Sequence, residues 1–169
     1  NAIFPQLAEE YQVVLLDVAD ALTDENGYVY GHIPAAKGCT SPCLALIAHM
    51  DTAMDMSGDN IKPRIIHNYD GNDIVLNEEK NIVTAVSVFP NLKKFIGQDL
   101  IVTDGTTLLG ADDNAGVAEI MTLAEFLMQN PDYPHPPISI LFTPDEEIGR
   151  GPDHVNLEEV GAAYGYTID

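Results

Sequence analysis

The sequence predicts an α/β fold with a mixed, largely parallel sheet flanked by helices. Three observations carry this reading. Apolar runs at 44–48, 138–143 and 163–168 have the length and composition of buried strands. Residues 116–129 place Val117, Ile120, Met121, Ala124, Leu127 and Met128 at helical spacing. Strand-like and helical segments alternate along the chain, the pattern of folds built on parallel strands. At 169 residues and 46% apolar content, the chain can bury a core.

The elements follow in order. Residues 5–11 read as the end of a helix. Residues 17–23 and 28–34 read as strands around Glu25-Asn26-Gly27, an Asn-Gly hairpin signal. The run 44–48 ends in His49-Met50-Asp51, as a buried strand ends at a sheet edge. Residues 52–82 are mostly polar, with Gly58, Pro63 and Gly71, and read as a long loop of the kind that carries function. Residues 100–103 and 107–109 flank Asp104-Gly105, a second hairpin signal. Asn130-Pro131 ends the helix at 116–129. The strand at 138–143 leads into Pro144-Asp145-Glu146-Glu147, and the run 163–168 is the last strand. The chain opens on Asn1 and closes at Asp169, directly after that apolar run, and it reads as a piece of a larger protein.

Charge narrows the function classes. Asp and Glu number 27 against 7 Lys and Arg, for a net charge of −20. Such a chain repels nucleic acid and anionic membrane surfaces, and suits cations. The longest apolar run, 43–48, is far too short to span a membrane. Residues 1–10 contain no Lys or Arg, so no signal-peptide start is visible. Cys39 and Cys43 are too few for a disulfide framework. They read as free thiols of a cytoplasmic protein. Pro42 between them, and the lack of a second Cys or His pair, argue against a zinc site there.

The chemistry gathers where apolar runs end. His49 and Asp51 follow the run 44–48. Asp112 and Asp113 follow Leu108-Leu109. Asp145, Glu146 and Glu147 follow 138–143, and Asp169 follows 163–168. Ligands of open α/β sheets bind at the carboxyl ends of strands. Carboxylates brought together there repel unless a cation neutralises them, and His with carboxylates suits zinc or a similar divalent ion. Each piece alone has a plainer explanation. His49-x-Asp51 fits a turn, Asp112-Asp113 fits a helix N-cap, and Asp145-Glu146-Glu147 fits a solvated turn. The conjunction favours a metal.

Four motifs then resemble those of the dinuclear zinc metallopeptidases, the group that includes carboxypeptidase G and the aminoacylases. They are Ile47-Ala48-His49-Met50-Asp51-Thr52, Leu109-Gly110-Ala111-Asp112-Asp113, Phe142-Thr143-Pro144-Asp145-Glu146-Glu147 and Tyr166-Thr167-Ile168-Asp169. Stretches at 55–74 and 97–109 are similar to ones found in the tripeptide-cleaving aminopeptidases of that group. The resemblance runs from about residue 17 to residue 169. It implies two zinc ions per complete subunit. His49 and Asp169 would bind the first, Asp112 would bridge both through a residue whose following peptide bond is cis, and Glu147 would bind the second. Glu146 would be the general base, and Asp51 would hold the His49 imidazole. Asn114 departs from the Lys that many members carry there.

The resemblance further implies that residues 1–169 are the N-terminal part of a catalytic domain. A further His ligand and a lid or dimerisation domain would lie downstream, so that 1–169 alone would be inactive. The implied activity is removal of the N-terminal residue from tripeptides, with a small peptide as partner and a homodimer for the complete protein. The same metal motifs serve dipeptidases, carboxypeptidases and N-acyl amino acid deacylases. A non-catalytic metal-binding module is the reading from another class, and Glu146 beside a ligand argues against it.

Overall fold

The computed structural model describes residues 20–169. The helix expected at 5–11 lies outside them. The described residues form two compact units. One comprises the residues up to Thr52 together with Ala111–Asp169, and the other is Ala53–Gly110. Of the seven Lys and Arg, only Lys37 and Arg150 belong to the first unit, which therefore carries most of the net negative charge.

The first unit is a five-stranded sheet with helices on it. Its strands are β1 (Asp20–Thr23), β2 (Val29–Ile33), β3 (Leu44–His49), β8 (Ile138–Thr143) and β9 (Tyr164–Thr167), in the order β1-β2-β8-β3-β9. The sheet is mixed, as expected. β1 and β2 form the antiparallel hairpin, and β2 runs antiparallel to β8. The hairpin turn is closed by Asp24, whose Oδ1 accepts the N–H groups of Asn26 and Tyr28 at 2.9 and 3.0 Å, while Gly27 takes a φ of 89°. β8, β3 and β9 run parallel to one another. Their carboxyl ends therefore lie along one edge of the sheet.

β8 is buried at every position, because β2 and β3 cover its edges and its two faces are both packed. Ile138, Ile140 and Phe142 face one cluster with Leu46, Ala48, Val117, Ile120, Ala124 and Leu127. Leu141 faces another, with Tyr28, Tyr30, Ala45 and Val160. Helix α1 (Ala111–Gln129) supplies Val117, Ile120, Ala124 and Leu127. Helical spacing in the sequence singles these out together with Met121, which is partly buried against the cluster, and Met128, which is exposed. Helix α2 (Leu157–Val160) is capped by Asn156, whose side chain accepts the N–H groups of Glu158 and Glu159.

The second unit corrects two expectations. Residues 52–82 are not one long loop. They hold β4 (Arg64–Ile66), β5 (Ile74–Asn77) and the start of β6 (Ile82–Thr84), and β5 pairs with β6 antiparallel. The connecting turn uses Asn81 at φ 51°, so no glycine marks it in the sequence. Residues 100–103 and 107–109 do not form a hairpin. β7 (Leu100–Val102) pairs instead with β4, joining Ile65 to Ile101. Asp104 turns the chain on itself by accepting the N–H and hydroxyl of Thr106, which leaves 107–109 without a strand partner. A 3-10 helix spans Pro90–Phe95. Tyr69 is buried, with its N–H donated to Gln98 and its carbonyl accepting from Gly97 at 2.8 Å each.

Candidate active site

The parallel ladder places the site. His49 closes β3 opposite Thr143 of β8, and Ile47 pairs with Thr167 of β9. The Ile168 N–H extends that ladder by donating to the Ile47 carbonyl at 2.8 Å. One residue further, Asp169 stands beside His49. A non-helical kink at Asp112 and Asp113, ahead of the regular turns of α1, brings Asp112 to the same edge. Single donor atoms of His49, Asp112 and Asp169 lie within 4.8 Å of one another. His49 is buried, while Asp112 and Asp169 are exposed, so the group opens to solvent.

The His49 ring has a definite orientation. Nδ1 meets only acceptors, the Asp51 backbone carbonyl at 2.9 Å and Asp51 Oδ1 at 3.3 Å. It therefore carries a proton. Nε2 faces Asp112 Oδ1 at 2.9 Å and Glu146 Oε2 at 3.8 Å. Two carboxylates against that nitrogen need either a second proton or a cation between them. Burial pulls the His49 pKa down, but the Asp112 hydrogen bond, the Asp51 carbonyl and the nearby carboxylates outweigh it and raise it. An imidazole with its Nδ1 proton held by a carbonyl, beside two accessible carboxylates, is a donor set that fits a divalent cation.

Glu146 and Glu147 follow Asp145, which sits in the left-handed region at φ 61°. They begin a short 3-10 turn, Glu146–Ile148, closed by Gly149. The Asp51 carboxylate ties this turn to the end of β3. Its oxygens accept the backbone N–H groups of Glu146 at 3.1 Å and Glu147 at 3.0 Å. The resemblance assigns the Asp51 carboxylate to His49. In the structure its backbone carbonyl makes the shorter contact with the ring, and the carboxylate chiefly holds the turn. Glu146 reaches His49. Among the described residues, Glu147 is not part of the group that can share one ion.

Two residues take roles in the site that the sequence reading does not assign to them. Asp113, 2% exposed, accepts the His49 N–H at Oδ2 and the Gly116 N–H at Oδ1, both at 3.0 Å. Burial raises its pKa against those two hydrogen bonds. The N-cap reading of Asp112-Asp113 thus holds for Asp113, whereas Asp112 turns to the cluster. The peptide bond between them is cis. Gly116 is the second. A side chain there would overlap the Ile168 carbonyl oxygen and Asp113 Oδ1. A glycine opening the helical pattern at 116–129 is the available signal. The cysteines stand apart from this chemistry: both are free, and burial pushes the Cys43 thiol up, away from reactive thiolate.

No family model matches the chain. Individual proteins do. Peptidase T of Halothermothrix orenii is 56% identical over 146 residues, 86% of this chain and 36% of that protein. The chain belongs to the peptidase T family. The crystal structure of aminopeptidase PepT from Bacillus cereus superposes with a TM-score of 0.69 at 26% identity, over 95% of this chain and 36% of the other. A tripeptidase from Staphylococcus aureus superposes at 0.65 and 25% identity, over 97% and 36%. The chain thus spans little more than a third of the length of these peptidase T relatives. Among the described residues, no helix is long and apolar enough to cross a membrane.

Proposed function

We propose that the complete protein containing this chain is a metal-dependent aminopeptidase that removes the N-terminal residue from tripeptides. One observation carries the reading: His49, Asp112 and Asp169 converge at the strand ends with the Glu146 carboxylate at the same imidazole nitrogen. The Bacillus cereus aminopeptidase and the Staphylococcus aureus tripeptidase support the substrate class.

In this reading His49, Asp112 and Asp169 hold one divalent cation, zinc by their donor types. Asp112 and Glu147 would help to hold a second cation, together with a His from outside residues 1–169. When bound, the ions supply Lewis-acid activation of water and of the scissile carbonyl. The chain's own residues do the rest. Glu146 takes a proton from the attacking water and passes it to the departing amine. It is half exposed, so its carboxylate is open to an incoming water and substrate. Its backbone is fixed through Asp51, so the turn does not drift as the proton moves. Asp51 also keeps the His49 proton on Nδ1 and leaves Nε2 for the cation. Residues 1–169 form part of the catalytic domain.

The test uses the full-length protein, stripped by a chelator and reloaded with zinc. It should hydrolyse an unblocked tripeptide only when reloaded, and leave an N-acetyl amino acid intact. Hydrolysis of the N-acetyl amino acid with the tripeptide untouched would make it a deacylase. Equal turnover in stripped and reloaded protein would remove the metal from the mechanism.

A further inference from the structure

The three residues of the cluster come from three elements, and only two of those are bonded in one ladder. β3 and β9, which lead to His49 and Asp169, are locked in register through Ile47, Thr167 and Ile168. α1, which brings Asp112, lies outside the ladder. Packing of Val117 and Ile120 holds it on the sheet, but side-chain packing tolerates small slides along a helix axis. Something must set its first turn against the strand ends to within a fraction of an ångström, because a metal site demands that tolerance.

We propose that Asp113 and Gly116 do this: the Asp113 carboxylate clips the start of α1 to His49, and the missing side chain of Gly116 lets α1 reach the Ile168 carbonyl, so the pair sets the spacing of His49, Asp112 and Asp169. Both Asp113 oxygens are used, one on each side of the joint, at 3.0 Å each. Each N–H belongs to a critical place. One is that of His49 itself, and the other lies in the turn that follows Asp112. Gly116 sits against the third arm. A Cβ would strike the carbonyl of Ile168, the residue before Asp169, and the clipping oxygen of Asp113. Either Asp169 or the clip would have to move. Asp113 and Gly116 are thus positioning residues, and this assignment rests on the metal reading above.

A plain helix cap would behave differently. It accepts only from α1, and serine performs that role well. Serine at 113 would still cap the helix but would be too short to reach the His49 N–H.

The experiment titrates the chelator-stripped full-length protein with Co2+ and follows both its visible absorption and its affinity, alongside the melting temperature of the stripped protein. Asp113→Ser and Gly116→Ala should each weaken the first Co2+ by about tenfold or more and change its absorption band, as loss of outer-shell support does. Ala124→Gly removes a buried methyl from the same helix away from the site. It should lower the melting temperature and leave Co2+ affinity within about twofold, since distant sites act independently. If Gly116→Ala does not fold, Asp113→Ser decides. Wild-type affinity and spectrum in Asp113→Ser would overturn the clip, as would equal weakening by Ala124→Gly. A wild-type protein that takes up no Co2+ would overturn the metal reading, and the clip with it.

Discussion

The Asp51 carboxylate accepts the backbone N–H of Glu146 at 3.1 Å, across 95 residues of chain. A second oxygen of the same group accepts from Glu147. The residue that orients the histidine at the end of β3 is therefore the one that anchors the turn after β8. The two halves of the site share a single buried carboxylate.

Asp51→Asn keeps the shape of this anchor but turns one acceptor into a donor facing an N–H. One half-buried N–H loses its partner, at a cost of about 1 kcal/mol. In the full-length protein kcat should fall about tenfold to a hundredfold. Zinc content per chain, measured by elemental analysis, should fall less than activity does. Full activity in Asp51→Asn would separate the anchor from catalysis.

Glu146→Gln and Glu147→Gln remove one charge each at adjacent positions, yet should fail in different ways. Loss of the base should cost about two to four orders of magnitude in kcat with metal retained. Loss of the ligand should show first as missing metal. Parallel assays of kcat and bound zinc distinguish them, and identical profiles would contradict the assignment.

Asp104 predicts a pH effect in the second unit. The hydroxyl and N–H of Thr106, with help from Lys62, depress its pKa to about 2. A depressed carboxylate stabilises the fold above its unfolded value of about 3.9. That contribution should fade as pH falls from about 4 towards about 2. Thr106→Val removes the hydroxyl and should raise the Asp104 pKa, which NMR titration of its carboxyl carbon would register. An unchanged titration midpoint would count against the hydrogen bond.

The Ser139 hydroxyl is fully buried in β8 and, among the described residues, has no hydrogen-bond partner. A buried hydroxyl without a partner is destabilising. Ser139→Ala should therefore be neutral or stabilising by up to about 1 kcal/mol. Chemical denaturation would measure it. A loss above that size would mean that the hydroxyl has a partner in solution.

Much of the first unit is legible in its sequence, because its strands are continuous apolar runs and its helix repeats with one face. β8 can be recognised because it is buried on both faces, which leaves no polar residue except Ser139 and Thr143 in its six positions. The cluster residues are legible as polar residues placed just after such runs. The clip is not. Asp113 differs from Asp112 only in where its carboxylate turns, and Gly116 matters only because Ile168 lies above it. Those facts arise when distant segments meet. The strands of the second unit are hidden for a related reason: β4, β6 and β7 have three residues each, too few to show a period.

The scarcity of basic residues in the first unit has a kinetic consequence. With only Lys37 and Arg150 to offset its acids, this unit sits in a negative potential, strongest where Asp112, Glu146 and Asp169 gather. Under the function proposed above, divalent cations and the ammonium end of a peptide would be drawn down the same gradient, and a free carboxylate end would be turned outward. Encounter with either cationic species should therefore slow as salt rises and the Debye length shrinks, even where the equilibrium contacts stay the same. In the proposed peptidase, the acidity that looks like a solubility device would also set which end of a peptide arrives first.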